Sequence, residues 1–120
     1  MPRDDQHTQK AAQNEKFAES LDVTDATSES WAVVAAFYSA LHYVQSTVVK
    51  GGSDCSDHKT RSKEIARDPI LKYIAGPYEH LFTLSHLARY KIGALPTKPF
   101  DSAKSDLAAV KKQVFYAHSK

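Results

Sequence analysis

The stretch that most constrains the fold is "SWAVVAAFYSALHYVQSTVVK", residues 30–50, because it carries no acidic residue and no lysine or arginine before Lys50. Apolar side chains recur there at helical spacing, which predicts one long helix. The predicted inner face comprises Trp31, Val34, Tyr38, Leu41, Gln45 and Val49. The opposite side, including Ala36 and Tyr43, is also uncharged. Such a helix is usually buried on more than one side, so we expect the central helix of a bundle or part of a dimer interface.

Further helices are predicted on both sides of this one, and strand signals are almost absent. Their approximate ranges are 9–21, 58–67, 69–91 and 103–119. The predicted N-terminal caps are Thr27 or Ser28, Asp57, Asp68, and Asp101 or Ser102. Gly76-Pro77 is expected to kink or split the fourth range, because proline removes a backbone hydrogen bond. Leu107, Val110, Val114 and Phe115 are predicted to face inward from the last helix.

Short connections between amphipathic helices favour antiparallel neighbours. The sequence therefore predicts an all-α, up-and-down bundle of four to five helices. We expect a single domain over residues 1–120, with residues 1–8 disordered.

The composition limits the cellular compartment and the kinds of binding site that we expect. A net charge of +2 is too small to indicate nucleic-acid binding by itself. The lone Cys55 allows no disulfide within the chain, which fits a reducing, cytoplasmic compartment. No secretory signal is recognisable, and we expect no membrane-spanning run. Six scattered histidines show no metal-ligand spacing, so neither a metal site nor a cofactor is predicted.

Arg89 occupies a position where the helical pattern expects an apolar residue, on the same side as Tyr78 and Ser85. Tyr38, His42 and Gln45 fall together on the long helix. A buried guanidinium without partners is too costly to keep. Arg89 is therefore a helix-end residue bonded to carbonyls, a member of a polar cluster with these side chains, or part of a cleft that binds an anion.

Two stretches resemble the HEPN domain (higher eukaryotes and prokaryotes nucleotide-binding). "WAVVAAFYSALHYVQSTVVKGG" resembles the second helix of that family, with its small residues and paired aromatic positions. "YEHLFTLSHLARY" resembles a later motif, Y-x-x-L-x-x-x-R-x-x-A-D-Y, which Tyr78, Leu81, Ala88 and Tyr90 match. Ser85 stands in place of the motif's arginine and Arg89 in place of its aspartate. His58 matches a histidine that the family carries between these stretches.

The resemblance covers roughly residues 10–118 and implies a helical bundle that forms a homodimer. It implies a place in a toxin–antitoxin pair, phage defence or RNA processing, with an antitoxin or nucleotidyltransferase as possible partner. Many members are metal-independent ribonucleases with an R-x4–6-H motif, but no arginine here is followed by a histidine at that spacing. The expected role is thus a nucleic-acid- or nucleotide-associated binding and regulatory component, with Arg89, Tyr78, Tyr38 and His42 as binding residues.

Two alternatives stay open. His86 and Arg89, or His58 and Arg61, lie one helical turn apart in the reverse order. Either pair would supply a general acid/base and a phosphate-stabilising cation, so a ribonuclease with a rearranged His/Arg site is one alternative. The other is a purely structural helical interaction protein, in which these side chains are solvated or cap helices.

Overall fold

The computed structural model describes residues 4–50, 57–90 and 97–119. These segments form five α-helices with a short 3₁₀ turn at Leu71–Ile74 between the third and the fourth. The helices are α1 (Asp4–Ser20), α2 (Ala26–Lys50), α3 (His58–Arg67), α4 (Ala75–Tyr90) and α5 (Pro99–His118). No strand is present in the described ranges. The predicted all-α helical bundle is confirmed.

α2 is the central helix, packed against α1, α4 and α5. Its alanines, such as Ala36 and Ala40, are fully buried, and small side chains let neighbouring helices approach closely. Ser39 donates a hydrogen bond to the Ala11 carbonyl on α1 at 2.8 Å. Trp31, predicted to face inward, is 57% exposed. The prediction for this residue was wrong because the side with the small residues is the enclosed one.

One helix in the described part of the chain is long and apolar enough to span a membrane, namely α2 over Ala26–Val49 near the N-terminus. This differs from the expectation that no run reaches that length. In this bundle 72% of its apolar window is buried against other helices. A buried core helix and a signal sequence both meet such a criterion, so the finding carries little weight.

The residues that cap the helix starts were predicted, and the structure confirms Asp57 and corrects the others. Asp57 caps α3 as predicted, accepting a hydrogen bond from the Thr60 amide at 2.7 Å. The prediction that Asp68 caps a helix beginning at Pro69 was wrong. Asp68 ends α3, and its carboxylate accepts from the amides of residues 70 and 71 in the turn that follows. α2 begins at Ala26 and not after Thr27 or Ser28, because Asp25 accepts from the Ser28 amide instead.

The last two helices also begin at other residues than predicted, α4 later than residue 69 and α5 earlier than residue 103. The split near Gly76-Pro77 lies before these residues, and α4 begins at Ala75. Pro77 then lies in the first turn, where its missing N–H costs no hydrogen bond. α5 begins at Pro99, so Asp101 and Ser102 lie inside its first turn and do not cap it.

The ends of the chain show two further differences. α1 begins at Asp4, so residues 4–8, expected to be disordered, are helical. On α5, Leu107, Val110 and Val114 are buried as predicted, whereas Phe115 is exposed at the rim and the prediction for it was wrong. Gly51, Gly52, Cys55 and Gly93 lie outside the described residues.

Candidate functional site

Arg89 lies in the last turn of α4, and three hydrogen bonds fix its side chain. Its Nε donates to the Ser85 carbonyl at 3.2 Å, and Nη2 reaches the Ser85 hydroxyl at 3.5 Å. Nη1 donates to the Tyr38 hydroxyl on α2 at 3.1 Å. The predicted grouping of Tyr38, Ser85 and Arg89 is therefore confirmed in geometry, and it links α4 to α2.

Among the described residues, the positive charge of Arg89 has no direct counter-ion. All three acceptors are neutral oxygens, and no carboxylate contacts the guanidinium in the described part of the chain. The side chain is half-buried, so part of the guanidinium still faces solvent. A guanidinium carries five N–H donors, and three bonds leave donors for an external anion.

Two tyrosines flank this guanidinium. Its central carbon lies 5.8 Å from the centre of the Tyr38 ring and 5.3 Å from that of Tyr90. Tyr90 is 65% exposed, and Tyr38 also reaches the surface. Arg89, Tyr38 and Tyr90 together form what we call the Arg89 surface. A fixed cation between exposed aromatic rings has the chemistry that binds a phosphate beside an unstacked base.

An aromatic ladder on α4 runs from the core towards the Arg89 surface. Tyr78 is fully buried, Phe82 is half-buried, and His86 and Tyr90 are exposed. The His86 ring lies 6.3 Å from Phe82 and 5.0 Å from Tyr90, between centroids. The His58 ring stacks on Phe82 at 3.6 Å. The one-turn spacing along α4 thus places a second exposed ring, His86, beside Tyr90.

The other predicted binding residues lie elsewhere. Tyr78 packs its ring against Phe37 and His58 in the core, at centroid distances of 5.7 and 5.8 Å. His42 turns towards α1, where its Nδ1 lies 3.0 Å from Nδ1 of His7 and the two rings stack. Burial, followed by the nearby charges of His7, Lys10 and Arg61, lowers the pKa of His42 to about 4. The six-residue cluster expected from the sequence is therefore divided.

The environment of Arg61 differs from the one predicted from the sequence. It is only 5% exposed, and its Nε donates to the Gln45 side-chain oxygen at 3.1 Å. The expectation that it is either solvated or catalytic missed this burial. Gln45 was predicted to face inward, and its amide is the polar group that joins α2 to α3 here. The helical period of α3 could have indicated that Arg61 is buried, because Arg61 lies one turn before the buried Ile65.

Among the described residues, no hydrogen bond joins the histidine and the arginine of either reversed His/Arg pair. His86 packs against rings, while Arg89 bonds to Tyr38 and Ser85. His58 Nε2 lies 3.2 Å from the Glu79 carboxylate on α4, and Arg61 bonds to Gln45 on α2. His86 and Arg89 both lie beside the Tyr90 ring, but no hydrogen bond joins them in the described part of the chain.

His58, Ser62 and Glu79 form a cluster that the sequence analysis did not anticipate. His58 Nε2 lies 3.3 Å from the Ser62 hydroxyl, and Ser62 also donates to Glu79. A nucleophilic triad needs the acid on one imidazole nitrogen and the serine on the other. Here both partners approach Nε2, while Nδ1 is buried without a hydrogen-bond partner among the described residues. This arrangement ties α3 to α4 and does not activate Ser62.

Comparisons with known proteins leave the chain without an assigned family. No family model matches it, and no curated protein or solved structure does. Among the described residues, no group of three or more His, Cys, Asp or Glu side chains is arranged to hold a metal ion.

Proposed function

We propose that this protein is a HEPN-like helical bundle that binds single-stranded RNA at the Arg89 surface. It acts as a binding and regulatory component of a toxin–antitoxin or defence module in the cytoplasm. The observation that carries this proposal is the guanidinium of Arg89, which two tyrosines flank and which, in the described part of the chain, bonds only to neutral oxygens. The resemblance to the HEPN family supplies the biological setting.

The chemistry of the surface favours RNA. Arg89 offers charge-assisted hydrogen bonds to a phosphate. Exposed Tyr38 and Tyr90 offer ring faces on which unstacked bases pack, which is how proteins usually bind single strands. His86 extends the aromatic surface along α4. These contacts tolerate many sequences, so we expect weak sequence preference and a strong dependence on salt.

Binding is supported better than cleavage. Ribonuclease chemistry without a metal needs a general acid or base next to the reacting phosphate. His86 is the nearest histidine in sequence to Arg89, but its ring is engaged by Phe82 and Tyr90. His58 is engaged by Glu79 and Ser62, at a distance from Arg89 along α4. A rearranged His/Arg nuclease therefore remains the second candidate, and a purely structural protein the third.

The test is fluorescence anisotropy with a labelled single-stranded RNA, in chelator and at low salt. Arg89→Met keeps the side-chain stem and removes the charge. We expect it to weaken binding roughly tenfold, which is the scale of one hydrogen bond to a charged group. The matched control is Arg67→Met, whose side chain is 72% exposed and pairs with Glu64 at 3.6 Å. This control should change the affinity less than about twofold.

The same samples distinguish the three candidate functions. RNA that stays intact on a denaturing gel, with weaker binding by Arg89→Met alone, supports the proposal. Shortened RNA would favour the ribonuclease, and His86→Ala and His58→Ala would then show which histidine takes part. No measurable binding by the parent protein would favour the structural role and would contradict the proposal.

A further inference from the structure

Trp31 is exposed on a helix that is otherwise enclosed. Between residues 31 and 49 of α2, Trp31 and Tyr38 are the two exposed positions, and both are aromatic. Trp31 is 57% exposed, although tryptophan is highly buried on average. A large ring in contact with water on the central helix is therefore not explained by the packing of the bundle.

Trp31 lies on the same face of α2 as Tyr38. Seven residues separate the two, which is about 20° short of two full turns and a rise of about 10 Å. The Arg89 guanidinium donates to the Tyr38 hydroxyl at 3.1 Å, so Trp31 continues the face of α2 that carries the Arg89 surface. In the described part of the chain, the Trp31 side chain makes no hydrogen bond and no stacked ring contact. Its exposed ring is therefore available to a ligand.

The direction of α4 can be read from its contacts with α5. Gln113 of α5 donates to the Ile70 carbonyl, just before α4, at 3.0 Å. Asp106, earlier on α5, contacts His80 further along the chain on α4. Later residues of α4 thus meet earlier residues of α5, so these two helices are antiparallel.

α5 in turn runs parallel to α2. The Phe100 amide donates to Glu29 near the start of α2, at 3.3 Å, and His118 Nε2 lies 2.9 Å from the Ser46 hydroxyl near its end. α4 is therefore antiparallel to α2. Its last turn, which carries the arginine and the tyrosine of the Arg89 surface, lies towards the start of α2, where Trp31 is.

We propose that Trp31 is a second stacking position of the RNA-binding site, so that the ligand is a strand with at least two unstacked bases and not a mononucleotide. One base packs on Tyr38 or Tyr90 beside Arg89, and a base further along the strand packs on Trp31. This proposal rests on the RNA-binding function proposed above. A mononucleotide carries one base and occupies one of the two positions, whereas a strand occupies both.

The rings and the cation suit a strand. Stacking on an aromatic ring tolerates any sequence, because every base has a π-face. The hydrogen bonds of Arg89 to Tyr38 and Ser85 fix the cation next to α2, so a bound phosphate has a defined position relative to both rings of that helix. Because the two bases belong to one strand, stacking of the second is an intramolecular step, and it adds affinity that a single nucleotide lacks.

The first test uses fluorescence, since Trp31 is the only tryptophan in the chain. The parent is titrated with a short oligouridylate and with uridine monophosphate, and is excited at a wavelength that tyrosine does not absorb. The strand should quench the Trp31 emission, along the same binding curve as the anisotropy of the labelled strand. Uridine monophosphate should bind roughly fivefold or more weakly, because it lacks the second stacked base.

The second test compares substitutions of Trp31, with circular dichroism to confirm folding. Trp31→Leu removes the ring and keeps an apolar side chain. We expect it to bind the oligouridylate roughly fivefold or more weakly by anisotropy, the lower end of what one stacked base contributes. Trp31→Phe keeps a ring and should stay within about twofold of the parent.

The matched control is Tyr73→Leu. Tyr73 is 70% exposed, and Lys72 Nζ lies 5.4 Å from the centre of its ring, so this pair also combines an exposed ring with a cation. It lies in the turn before α4, at the other end of that helix from Arg89. The substitution should therefore leave the affinity for the oligouridylate unchanged.

Quenching by the strand, with weaker binding by Trp31→Leu and recovery in Trp31→Phe, supports the proposal. Trp31 emission that saturating oligouridylate does not change overturns it, and so does a Trp31→Leu variant that binds as tightly as the parent. If Arg89→Met still weakens binding in that case, the RNA-binding function stands without Trp31. Equal affinities for the strand and for uridine monophosphate would indicate a nucleotide site and also overturn the proposal. A parent protein that binds no RNA overturns both proposals together.

Discussion

Arg61 and Arg89 each join a helix to the same face of α2, but the two residues have different roles. Arg61 on α3 bonds to Gln45, and Arg89 on α4 bonds to Tyr38, two turns earlier on α2. Arg61 is enclosed by the bundle, whereas Arg89 keeps part of its guanidinium in contact with solvent. The same type of side chain therefore has two roles on one face of α2. The Arg61–Gln45 contact, which we call the structural corner, stabilises the bundle. The Arg89–Tyr38 contact, which we call the exposed corner, presents positive charge to solvent.

The partners account for this difference. Gln45 is buried, so its amide oxygen loses a hydrogen bond if Arg61 is removed. Tyr38 is exposed, so water would replace Arg89 at its hydroxyl. A buried group left without a partner costs more than the bond itself contributes. Burial of the partner, and not the identity of the arginine, decides which corner is structural.

Among the substitutions that test this comparison, Leu81→Ala should cause the largest loss of stability. Leu81 is fully buried on α4 and belongs to the hydrophobic core. Deleting its side chain should lower the free energy of unfolding by about 2–5 kcal/mol, measured by urea denaturation. Thr83→Ala, at an exposed position on the same helix, should change it by less than about 0.5 kcal/mol. Equal values for the two variants would mean that α4 packs with another face.

Arg61→Met tests the structural corner. We expect a loss of about 1–3 kcal/mol, because the buried Gln45 oxygen loses its donor from α3. The exposed Arg67→Met on the same helix should lose less than about 0.5 kcal/mol. Matching denaturation curves for these two variants would remove the distinction between the corners. If the double substitution of Arg61→Met with Gln45→Met restores the stability that Arg61→Met loses, the unpaired amide of Gln45 explains the loss.

His42→Asn tests the electrostatics next to Arg61. An unfolded histidine titrates near 6.5, and the pKa of folded His42 is about 4. Between these values the unfolded chain binds the proton and the folded chain does not. The stability is therefore complete above about pH 6.5 and falls as the pH is lowered towards 4. Because the ring is only partly buried, screening limits the loss to about 1–2 kcal/mol.

The measurement is urea denaturation at pH 7 and pH 4.5 for the parent and for His42→Asn. Asparagine does not titrate, so the variant should lose less stability on acidification than the parent. His86→Asn, at an exposed position with no ion pair among the described residues, is the control for general histidine titration. An equal loss in the parent and in His42→Asn would show that His42 is protonated in the folded protein.

Helical periodicity predicted the fold from the sequence because it depends on local spacing. Leu81, Val110 and Val114 follow that spacing and are buried as expected. Trp31 and Phe115 fit the same pattern and are exposed. Periodicity marks an apolar face, but it does not say how many neighbours enclose a helix. Around α2 the alanines decide this, because they permit close approach on the side that seemed less apolar.

The candidate site was predictable only in part for a related reason. Ser85 and Arg89 lie one turn apart, so their contact follows from helix geometry alone. The contact with Tyr38 depends on the packing of α4 against α2, which the shared apolar faces predicted correctly. The partners of His42 and Arg61 depend on how α1 and α3 are rotated, and a sequence pattern does not specify that rotation. Their contacts were therefore missed.

Arg89→Met tests the exposed corner. We expect a loss of about 0.5–1.5 kcal/mol, since the hydrogen bonds to Tyr38 and Ser85 disappear while water reaches the tyrosine. The loss should be smaller than that of Arg61→Met, measured by denaturation under identical conditions. A larger loss would place Arg89 with the structural residues and would weaken the case for an RNA-binding role.

Tyr38→Phe should have the smallest effect on stability and isolates the role of one hydroxyl. The ring stays beside the guanidinium, and only the acceptor for Arg89 Nη1 is removed. Because this hydroxyl is exposed, the loss should be under about 0.5 kcal/mol. If the hydroxyl orients Arg89 for RNA, the affinity should still fall a few-fold by anisotropy. If Tyr38 acts only by stacking, the affinity should match the parent, whereas Tyr38→Ala would lower it. An affinity unchanged by both substitutions would remove Tyr38 from the binding surface and leave Arg89 and Tyr90 to form it.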